Sequence, residues 1–539
     1  MVNPSGKINI LSPEGAGISP QPKGFEPMKT PQDIEGGALR AGGAINVWSR
    51  EYIGIVVQYA AVGMIYGTLP GTVYPFLFNY LNMESTQVVS ATVLLNLPWS
   101  FKLFYGIITD CVPIMGYRRR PFMIIGWTLC FIMLLVMACM KAGDPYYPEY
   151  AYASMNVTTL SPEIVASFNT DAPSTGSKFI VLMMLAAIGY VGADVAADAM
   201  MVEFAQREFE ATRGYTQTTI YMVRTVFVTI SSILTGFAFN GTHYGGDFDF
   251  SLSFPQLMII LTVACLPVMP LTWYFIKEEK HEGMVFSTYL KELWILIQTR
   301  PMYQVIAYKF FSGIFESFTI TSSSAMQDYW AGVTPLNEKT LAIIGNGIFA
   351  LTLYCKGKYG LHWNWRWMHA TMIVAVTVLD SLVTLLTTWD VIRNQWFWLG
   401  VPVVENLPSG LAFVIGTYVV VELAEDGNEG VRTITKNVDS AFDVANADIA
   451  SDTTHVRWEV TYILIIRYAI NLAGLLFLPL LPKQKAETNE FKRNGGSSRI
   501  LGLMTIAYFA FALVFSTMVN IMSIFPSTSC LRIAGGTGC

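Results

Sequence analysis

Twelve long apolar runs, separated by shorter polar segments, organise this chain. Six of them lie near residues 53–78, 87–109, 121–140, 179–202, 218–239 and 255–276. After a charged connector, six more lie near residues 303–326, 340–355, 370–389, 396–422, 459–481 and 500–525. A helix needs about 20 residues to cross a bilayer, and two groups of six joined by a longer polar loop are typical of transporters built from two halves. The pattern predicts an all-α polytopic membrane protein with 12 membrane helices.

The same pattern divides the chain into segments. Residues 46–277 form the first six-helix half, residues 278–300 a cytoplasmic connector and residues 301–526 the second half. Residues 1–45, which are rich in Pro, Gly, Ser and charge, are interpreted as a disordered cytoplasmic tail. Residues 527–539 form a C-terminal tail whose two cysteines can pair.

Composition excludes several classes of protein. Of the 539 residues, 53% are apolar and 14% are charged, and the mean hydropathy is +0.44; soluble domains have about 25% charged residues. The net charge of −5 is small and the basic residues are spread over short loops, which argues against nucleic-acid binding. Seven cysteines without a CxxC motif, together with five histidines, argue against a metal site. No cofactor is predicted.

Basic residues assign the sides of the membrane. They follow the second, fourth, sixth and eighth runs, so these connections are predicted to be cytoplasmic. The residues are Arg118, Arg119 and Arg120, Arg207 and Arg213, the connector from Lys277 to Arg300, and Lys356, Lys358 and Arg366. The sequons at Asn156 and Asn240 follow the third and fifth runs. They fall on the opposite side and are candidates for glycosylation.

The region before the last two runs departs from this scheme. Residues 425–457 are too polar for an ordinary lipid-facing helix. If run 459–481 were the eleventh crossing, the basic loop 483–499 would lie outside, against the positive-inside rule. Either part of residues 425–457 crosses while shielded by neighbours, or it is a compact loop and the last two helices lie in an unusual place. The second half is therefore predicted to lack or distort one crossing.

A charged motif bridges the second and third runs. The motif starts with GIITD, from Gly106 to Asp110. Five residues later comes GYRRR, whose last three residues are Arg118, Arg119 and Arg120. A carboxylate at a helix end near an arginine cluster can hold a helix pair in one state and release it in another. The motif resembles the loop signature of the major facilitator superfamily. It predicts a cytoplasmic gate, and the alternative is an anchor that only obeys the positive-inside rule.

The fourth and fifth runs carry charges at bilayer depth, where charged groups are costly unless they face a bundle interior or a cavity. Asp194 and Asp198 share one helical face, whereas Glu203 and Arg207 lie on nearly the opposite one. The second pair, with Arg213, is assigned to the gate. Arg224 lies at a depth that matches Asp194, about 14 Å from the cytoplasmic end at about 1.5 Å per residue. We predict that Arg224 pairs with Asp194 or Asp198; the alternative is a purely structural ion pair.

Further candidates for the substrate and proton site come from the same reasoning. Gln217 and Tyr221 share the polar stripe of Arg224, and Lys309 and Glu316 lie on a polar face of the seventh run. The alternative for the last two is that they pair with each other. Asp328 lies beyond this run and is predicted to be solvated. Four further charged residues near or within apolar runs receive no predicted role: Asp380, Glu405, Glu422 and Arg467.

Three segments together resemble the folate-biopterin transporter family of the major facilitator superfamily. They are KLFYGIITDCVPIMGYRRRPF, DVAADAMMVE with Asp194, Asp198 and Glu203, and RGYTQTTIYMVR from Arg213 to Arg224. The resemblance implies transport of folates or pterins, commonly coupled to protons, by alternating access between two six-helix halves. Family members normally carry an additional helix after the position of Glu429 and Gly430, where this chain continues with polar residues.

The leading hypothesis is a proton-coupled secondary transporter of a folate- or pterin-type solute, monomeric, in the plasma membrane rather than an organelle, and not an enzyme. A non-transporting, receptor-like or inactive homologue is the alternative that the missing crossing raises. An intramembrane prenyltransferase-like enzyme is a weaker alternative based on Asp194-x-x-x-Asp198. That chemistry needs a second acidic cluster on another helix, and no other apolar run contains one.

Overall fold

A computed structural model describes residues 38 to 534, with gaps, and residues 538 and 539. The gaps are residues 39, 41, 156–159, 210–214, 281–282, 284, 317, 360–363, 419–441, 443, 485–486, 488–489 and 492–493. The predicted Asn156 sequon, the predicted gate residue Arg213 and the junction at Glu429 and Gly430 lie outside the described residues, as does most of the N-terminal tail.

Helices coincide with all twelve predicted apolar runs. The first half contains α1 (Ile53–Tyr80), α2 (Ser85–Cys111), α3 (Arg120–Cys139), α4 (Ala172–Arg207), α5 (Tyr215–Ala238) and α6 (Phe254–Tyr274). A connector helix, Phe286–Ile297, precedes α7 (Arg300–Glu316), α8 (Pro335–Tyr359), α9 (Trp365–Thr388) and α10 (Gln395–Tyr418). The last two are α11 (Thr454–Leu480) and α12 (Arg499–Ile524). Of these described helices, nine are long and apolar enough to cross a membrane, namely α1 to α6, α9, α11 and α12. The predicted all-helical membrane fold is confirmed.

Glycines bring the helices of the first half into close contact. A Cβ atom at Gly67 on α1 would lie 2.7 Å from the Cβ atom of Ser231 on α5. One at Gly189 on α4 would lie 2.6 Å from the carbonyl oxygen of Gly126 on α3. Small residues at helix interfaces let backbones approach where no aqueous hydrophobic effect drives packing. These contacts hold α4 and α5, which carry the predicted site, in fixed positions.

The helix α7 is interrupted at membrane depth. It ends at Glu316, and a short helical segment resumes at Ser323 and continues as a π-helix, Met326–Trp330. The amide of Asn471 on α11 donates hydrogen bonds to the carbonyl oxygens of Phe315 and Phe318, at 2.6 and 3.1 Å. Asn471 therefore satisfies carbonyl groups that the end of the helix leaves without intrahelical partners.

The last two helices resolve the topological conflict. The end of α11 lies beside the inner end of α7, because Gln304 donates to the carbonyl oxygen of Leu480 at 3.0 Å. The loop that follows returns to the connector, where the amide of Ser498 donates to the carbonyl oxygen of Gln298 at 2.9 Å. The described ends of this loop, Leu480 and Ser498, therefore lie at the end that carries the connector, the predicted cytoplasmic side. This placement agrees with the positive-inside rule, against the alternative in which the loop lies outside.

Helix packing shows where the last two helices lie in the second half. In the first half, α6 packs against α1 and α3, whereas α5 packs against α1 and, across the interface between the halves, against α8. In the second half, α11 packs against α7 and α9, and α12 packs against α7 and, across the interface, against α2. The helix α11 thus occupies the position equivalent to α6, and α12 that equivalent to α5.

Hydrogen bonds between the halves lie at the outer ends of the described helices. Tyr150 and Tyr74 of the first half donate to Asp328 at 2.5 and 3.3 Å. Burial raises the pKa of Asp328 to about 6, and the two tyrosine hydroxyls partly offset this rise. Ser85 donates to Asn446 at 2.8 Å. The prediction that Asp328 is solvated was wrong, because the residue closes the outer contact between the two halves.

Two other predictions also need correction. The side chain of Asn240 is only 1% exposed, and its oxygen accepts a hydrogen bond from the amide of Leu336 at 3.2 Å. A residue enclosed in this way cannot carry a glycan in the folded protein. Part of the tail predicted to be disordered is ordered, since the amide of Arg40 donates to the carbonyl oxygen of Gln206 at 3.0 Å and its guanidinium lies 2.9 Å from Glu203.

Candidate functional site

The buried carboxyl group of Asp194 is the centre of the first-half site. Its side chain is completely buried, and neither carboxyl oxygen has a hydrogen-bond partner among the described residues. The nearest cation is Arg224 on α5, whose Nη1 lies 4.0 Å from Oδ2. The pair predicted from matching depths therefore exists, but its members are in loose contact. The carboxyl oxygens therefore keep hydrogen-bonding capacity that no described residue uses.

Aromatic rings hold the guanidinium of Arg224. It lies over the rings of Tyr66 on α1 and Trp99 on α2, at 5.1 and 5.2 Å from the centroids. A second cation, Lys102, lies 4.8 Å from the Trp99 centroid. Cation–π contacts of this kind favour a cation over the face of a ring even where water is scarce. The sequence did not indicate the contribution of these three residues, because they lie on helices whose position relative to α5 is set by the tertiary structure.

Asp198, one helical turn from Asp194, has different partners. The hydroxyl group of Tyr59 on α1 donates a hydrogen bond to Oδ1 of Asp198, and that of Tyr221 lies 3.4 Å from the same atom. Gln217 precedes Tyr221 by one turn on α5. The two aspartates on one face thus perform different roles: Asp198 is bound by hydroxyl groups, whereas Asp194 faces a cation.

The second-half candidates lie apart from this pair. Glu316 accepts a hydrogen bond from the hydroxyl group of Ser312, and Nε2 of His369 lies 3.0 Å from its Oε1. Lys309 has no ion-pair partner among the described residues, so the alternative in which it pairs with Glu316 is wrong. No contact within the described part of the chain joins Lys309 or Glu316 to Asp194. His369 was not predicted.

The predicted gate residues assemble at the inner ends of α2, α3 and α4. Arg119 donates to Asp110 at 2.6 Å and to Thr109 at 2.7 Å. Arg118 lies 3.4 Å from Glu203, which also binds Arg40. The charge network predicted from the motif and from the end of α4 therefore exists.

Other gate candidates have smaller or different roles. Arg207 lies over the Phe204 ring at 5.6 Å and lines a cavity of about 220 Å³ beside the gate. The guanidinium of Arg120 donates to the carbonyl oxygens of Trp273 and Ile276, each at 3.0 Å. A Cβ atom at Gly106 would meet nothing within 4 Å, so packing does not require glycine there.

Glu278, just after α6, joins the predicted gate residues although the sequence did not indicate it. Its carboxylate accepts hydrogen bonds from the backbone amides of Arg118, Arg119 and Arg120 at 2.8 to 2.9 Å. These amides lie at the start of α3, where a helix leaves amide groups unpaired and favours negative charge. The carboxylate thereby fixes the arginine loop to the end of the first half. The run of charges after α6 was the available signal, but its partner could not be read from it.

Comparisons with known proteins agree with this architecture. The model of the BT1 family matches residues 63–169. A folate-biopterin transporter of Synechocystis sp. is 22% identical over 479 residues, which cover 85% of this chain and 88% of that protein. A probable folate-biopterin transporter 4 of Arabidopsis thaliana is 25% identical over 163 residues, 30% of this chain and 27% of the relative. The chain is therefore similar to members of the folate-biopterin transporter family.

Among solved structures, transporters align with most of the chain at low sequence identity. The inward-open xylose transporter from E. coli aligns with a TM-score of 0.48 and 11% identity over 81% of this chain and 98% of that chain. The relatives named above are transporters, which supports a membrane transporter and not an enzyme. The enzyme alternative based on Asp194 and Asp198 is therefore set aside, and the described residues contain no group of three or more potential metal ligands.

Proposed function

We propose that the protein is a secondary transporter of folate- or pterin-type solutes, in which proton binding at Asp194 is coupled to solute movement. The observation that carries this proposal is the loose pair of Asp194 and Arg224, 4.0 Å apart, with both carboxyl oxygens buried and without hydrogen bonds among the described residues. A buried carboxylate in this state is costly unless it is paired or protonated. A proton and the guanidinium of Arg224 therefore compete for the carboxylate of Asp194.

This competition links protonation to solute binding. When Asp194 binds a proton, its attraction for Arg224 is lost, and the guanidinium becomes available to an anionic group. Folates carry glutamyl carboxylates, which an arginine can bind in a bidentate manner. The rings of Tyr66 and Trp99 keep the guanidinium in place during this exchange. Release of the proton from Asp194 reverses these steps and displaces the anion.

Two separate contact regions support alternating access. The outer contact joins the halves through Asp328 and Asn446. The inner network of Asp110, Arg119 and Glu203 lies at the opposite end of the first half. In alternating access, the outer contact opens when the two halves rock about a central site, and the inner network keeps α2, α3 and α4 together during this motion. The position of α12 supports a complete second half, which weakens the inactive-homologue alternative.

Uptake into proteoliposomes tests the proposal. Labelled folate and a labelled pterin are supplied with and without an inwardly directed proton gradient. Wild-type protein is expected to accumulate solute only with the gradient. Asp194→Asn should lose this stimulation but retain exchange of internal for external solute, since its side chain no longer titrates. Glu51→Gln is a matched control, because Glu51 forms an exposed pair with Lys277 at 3.4 Å.

The outcomes separate the parts of the proposal. If the intact protein takes up neither solute, the proposed substrate class is wrong. If Asp194→Asn and wild type respond equally to the gradient, proton coupling at this residue is wrong. Arg224→Lys keeps the charge but loses bidentate binding, so it should raise the KM for folate more than it changes the response to the gradient.

A further inference from the structure

A second polar cavity lies inside the second half, at the interruption of α7. Its volume is about 250 Å³. The interrupted segment contributes Thr319, Ser323 and Gln327 to its wall, and Trp398 of α10 also lines it. Three charged residues of three different helices complete it: Asp380 of α9, Glu405 of α10 and Arg467 of α11. None of these charges belongs to the Asp194 site.

The interruption of α7 is supported by specific contacts. Non-helical backbone at membrane depth is tolerated where it is buried in protein or lines a cavity. Here Asn471 binds the carbonyl oxygens of Phe315 and Phe318, while Thr319 of the same segment faces the cavity. Interrupted helices form the solute sites of many transporters because they present backbone and side-chain polar groups together. The local structure is therefore that of a preorganised binding site.

The cavity brings one cationic and two acidic side chains together. Nη2 of Arg467 lies 2.8 Å from Oδ2 of Asp380, which also accepts a hydrogen bond from Tyr468 at 3.0 Å. The Nε atom of Arg467 is buried and has no hydrogen-bond partner among the described residues. Glu405 lines the same cavity and interacts electrostatically with both Asp380 and Arg467. One guanidinium thus faces two carboxylates, which disfavours a simple anion as the occupant.

We propose that this cavity binds the bicyclic pterin head of the solute. A pterin presents an amino group, a ring N–H and a carbonyl oxygen in a row along one edge. Glu405 accepts hydrogen bonds from the two donors, and Nε of Arg467 donates to the carbonyl oxygen. Trp398 provides an apolar surface beside the ring. This inference rests on the proposed function and names the part of the solute that the second half recognises.

The size of the cavity favours a head group over a whole folate. Sites for drug-sized ligands usually have volumes of about 300 to 1,000 Å³, and this cavity has about 250 Å³. A bicyclic ring fits such a space, whereas the benzoyl-glutamate portion of a folate must remain outside it. Pterins without this portion should therefore bind through the same residues.

Binding to the purified full-length protein in nanodiscs tests the inference. The two probes are a pterin and 2,4-dioxopteridine, which has a carbonyl oxygen in place of the amino group. Wild-type protein should bind the pterin about 10- to 100-fold more tightly than the dioxo compound, as expected for loss of a charged hydrogen bond. Glu405→Gln should reverse this preference, because an amide donates to the new carbonyl oxygen and accepts from the ring N–H.

A reversed preference cannot result from partial unfolding, because unfolding would lower the affinity for both ligands. Asp390→Asn is the matched control, since Asp390 is a half-exposed outer carboxylate that binds Arg393 at 3.3 Å. It should leave both affinities unchanged. If Glu405→Gln still binds folate and still prefers the pterin over the dioxo compound, this inference is wrong but the proposed function stands. Failure of the wild type to bind either folate or a pterin overturns the proposed function as well.

Discussion

The pair of Asp194 and Arg224 permits a quantitative test by a double-mutant cycle. The variant Arg224→Met keeps an unbranched side chain but removes the cation. Opposite charges 4.0 Å apart attract each other by about 4 kcal/mol at an effective dielectric constant of about 20. Removal of one member of a buried pair costs about 3 to 5 kcal/mol, because the other charge remains buried and uncompensated. We expect Arg224→Met to lower the free energy of unfolding by an amount in this range.

The second substitution should recover most of this loss. Asp194→Asn removes the buried charge, so the double variant with Arg224→Met should be more stable than Arg224→Met alone by about 2 kcal/mol or more. The assay is denaturant unfolding of the four proteins in the same detergent, with linear extrapolation to zero denaturant. A matched cycle at the exposed pair of Glu51 and Lys277 should give coupling near zero.

Additivity would refute the reasoning. If the losses of the two single variants sum to that of the double variant within about 0.5 kcal/mol, the two side chains do not interact. The proposed competition between proton and guanidinium would then have no energetic basis. Equal stability of Arg224→Met and wild type would lead to the same conclusion, because it would show that the carboxyl group needs no cation.

Three further predictions concern the rest of the molecule. The pKa of Asp328 is raised to about 6 in the folded protein. Its contribution to stability should therefore be complete below about pH 4 and be lost as the pH rises through about 6. Asp328→Asn should abolish this pH dependence of stability, measured by thermal unfolding between about pH 4 and about pH 7. A cysteine at Asn494 should react with impermeant reagents only from the side that carries the connector, and labelling from the other side would contradict the placement of α11 and α12. Gly63→Leu should prevent stable folding, because a Cβ atom there would overlap the carbonyl oxygen of Arg224; Gly347→Leu, where a Cβ atom would meet nothing within 4 Å, is the control in a size-exclusion assay.

The sequence by itself determined the properties that depend on position along one helix. Apolar run length predicted the helices, and the basic loops predicted the orientation that the packing of loop 483–499 supports. The pair of Asp194 and Arg224 was predicted because depth in a helix is proportional to residue number. The GIITD and GYRRR segments were predicted to form a gate, and Arg119 does bind Asp110.

Only the tertiary structure decided which helices are neighbours. Glu278 caps α3 from a segment more than 150 residues away, as the hydrogen bond from the amide of Arg118 shows. The charges of Asp380, Glu405 and Arg467 could not be ranked from the sequence, since they come from three helices and meet only around a cavity. The same is true of α12: its apolar sequence would suit many places in the bilayer, and only its packing against α2 and α7 gives it the position equivalent to that of α5. Lipid offers little preference among apolar helix faces, so close packing and polar contacts decide these positions.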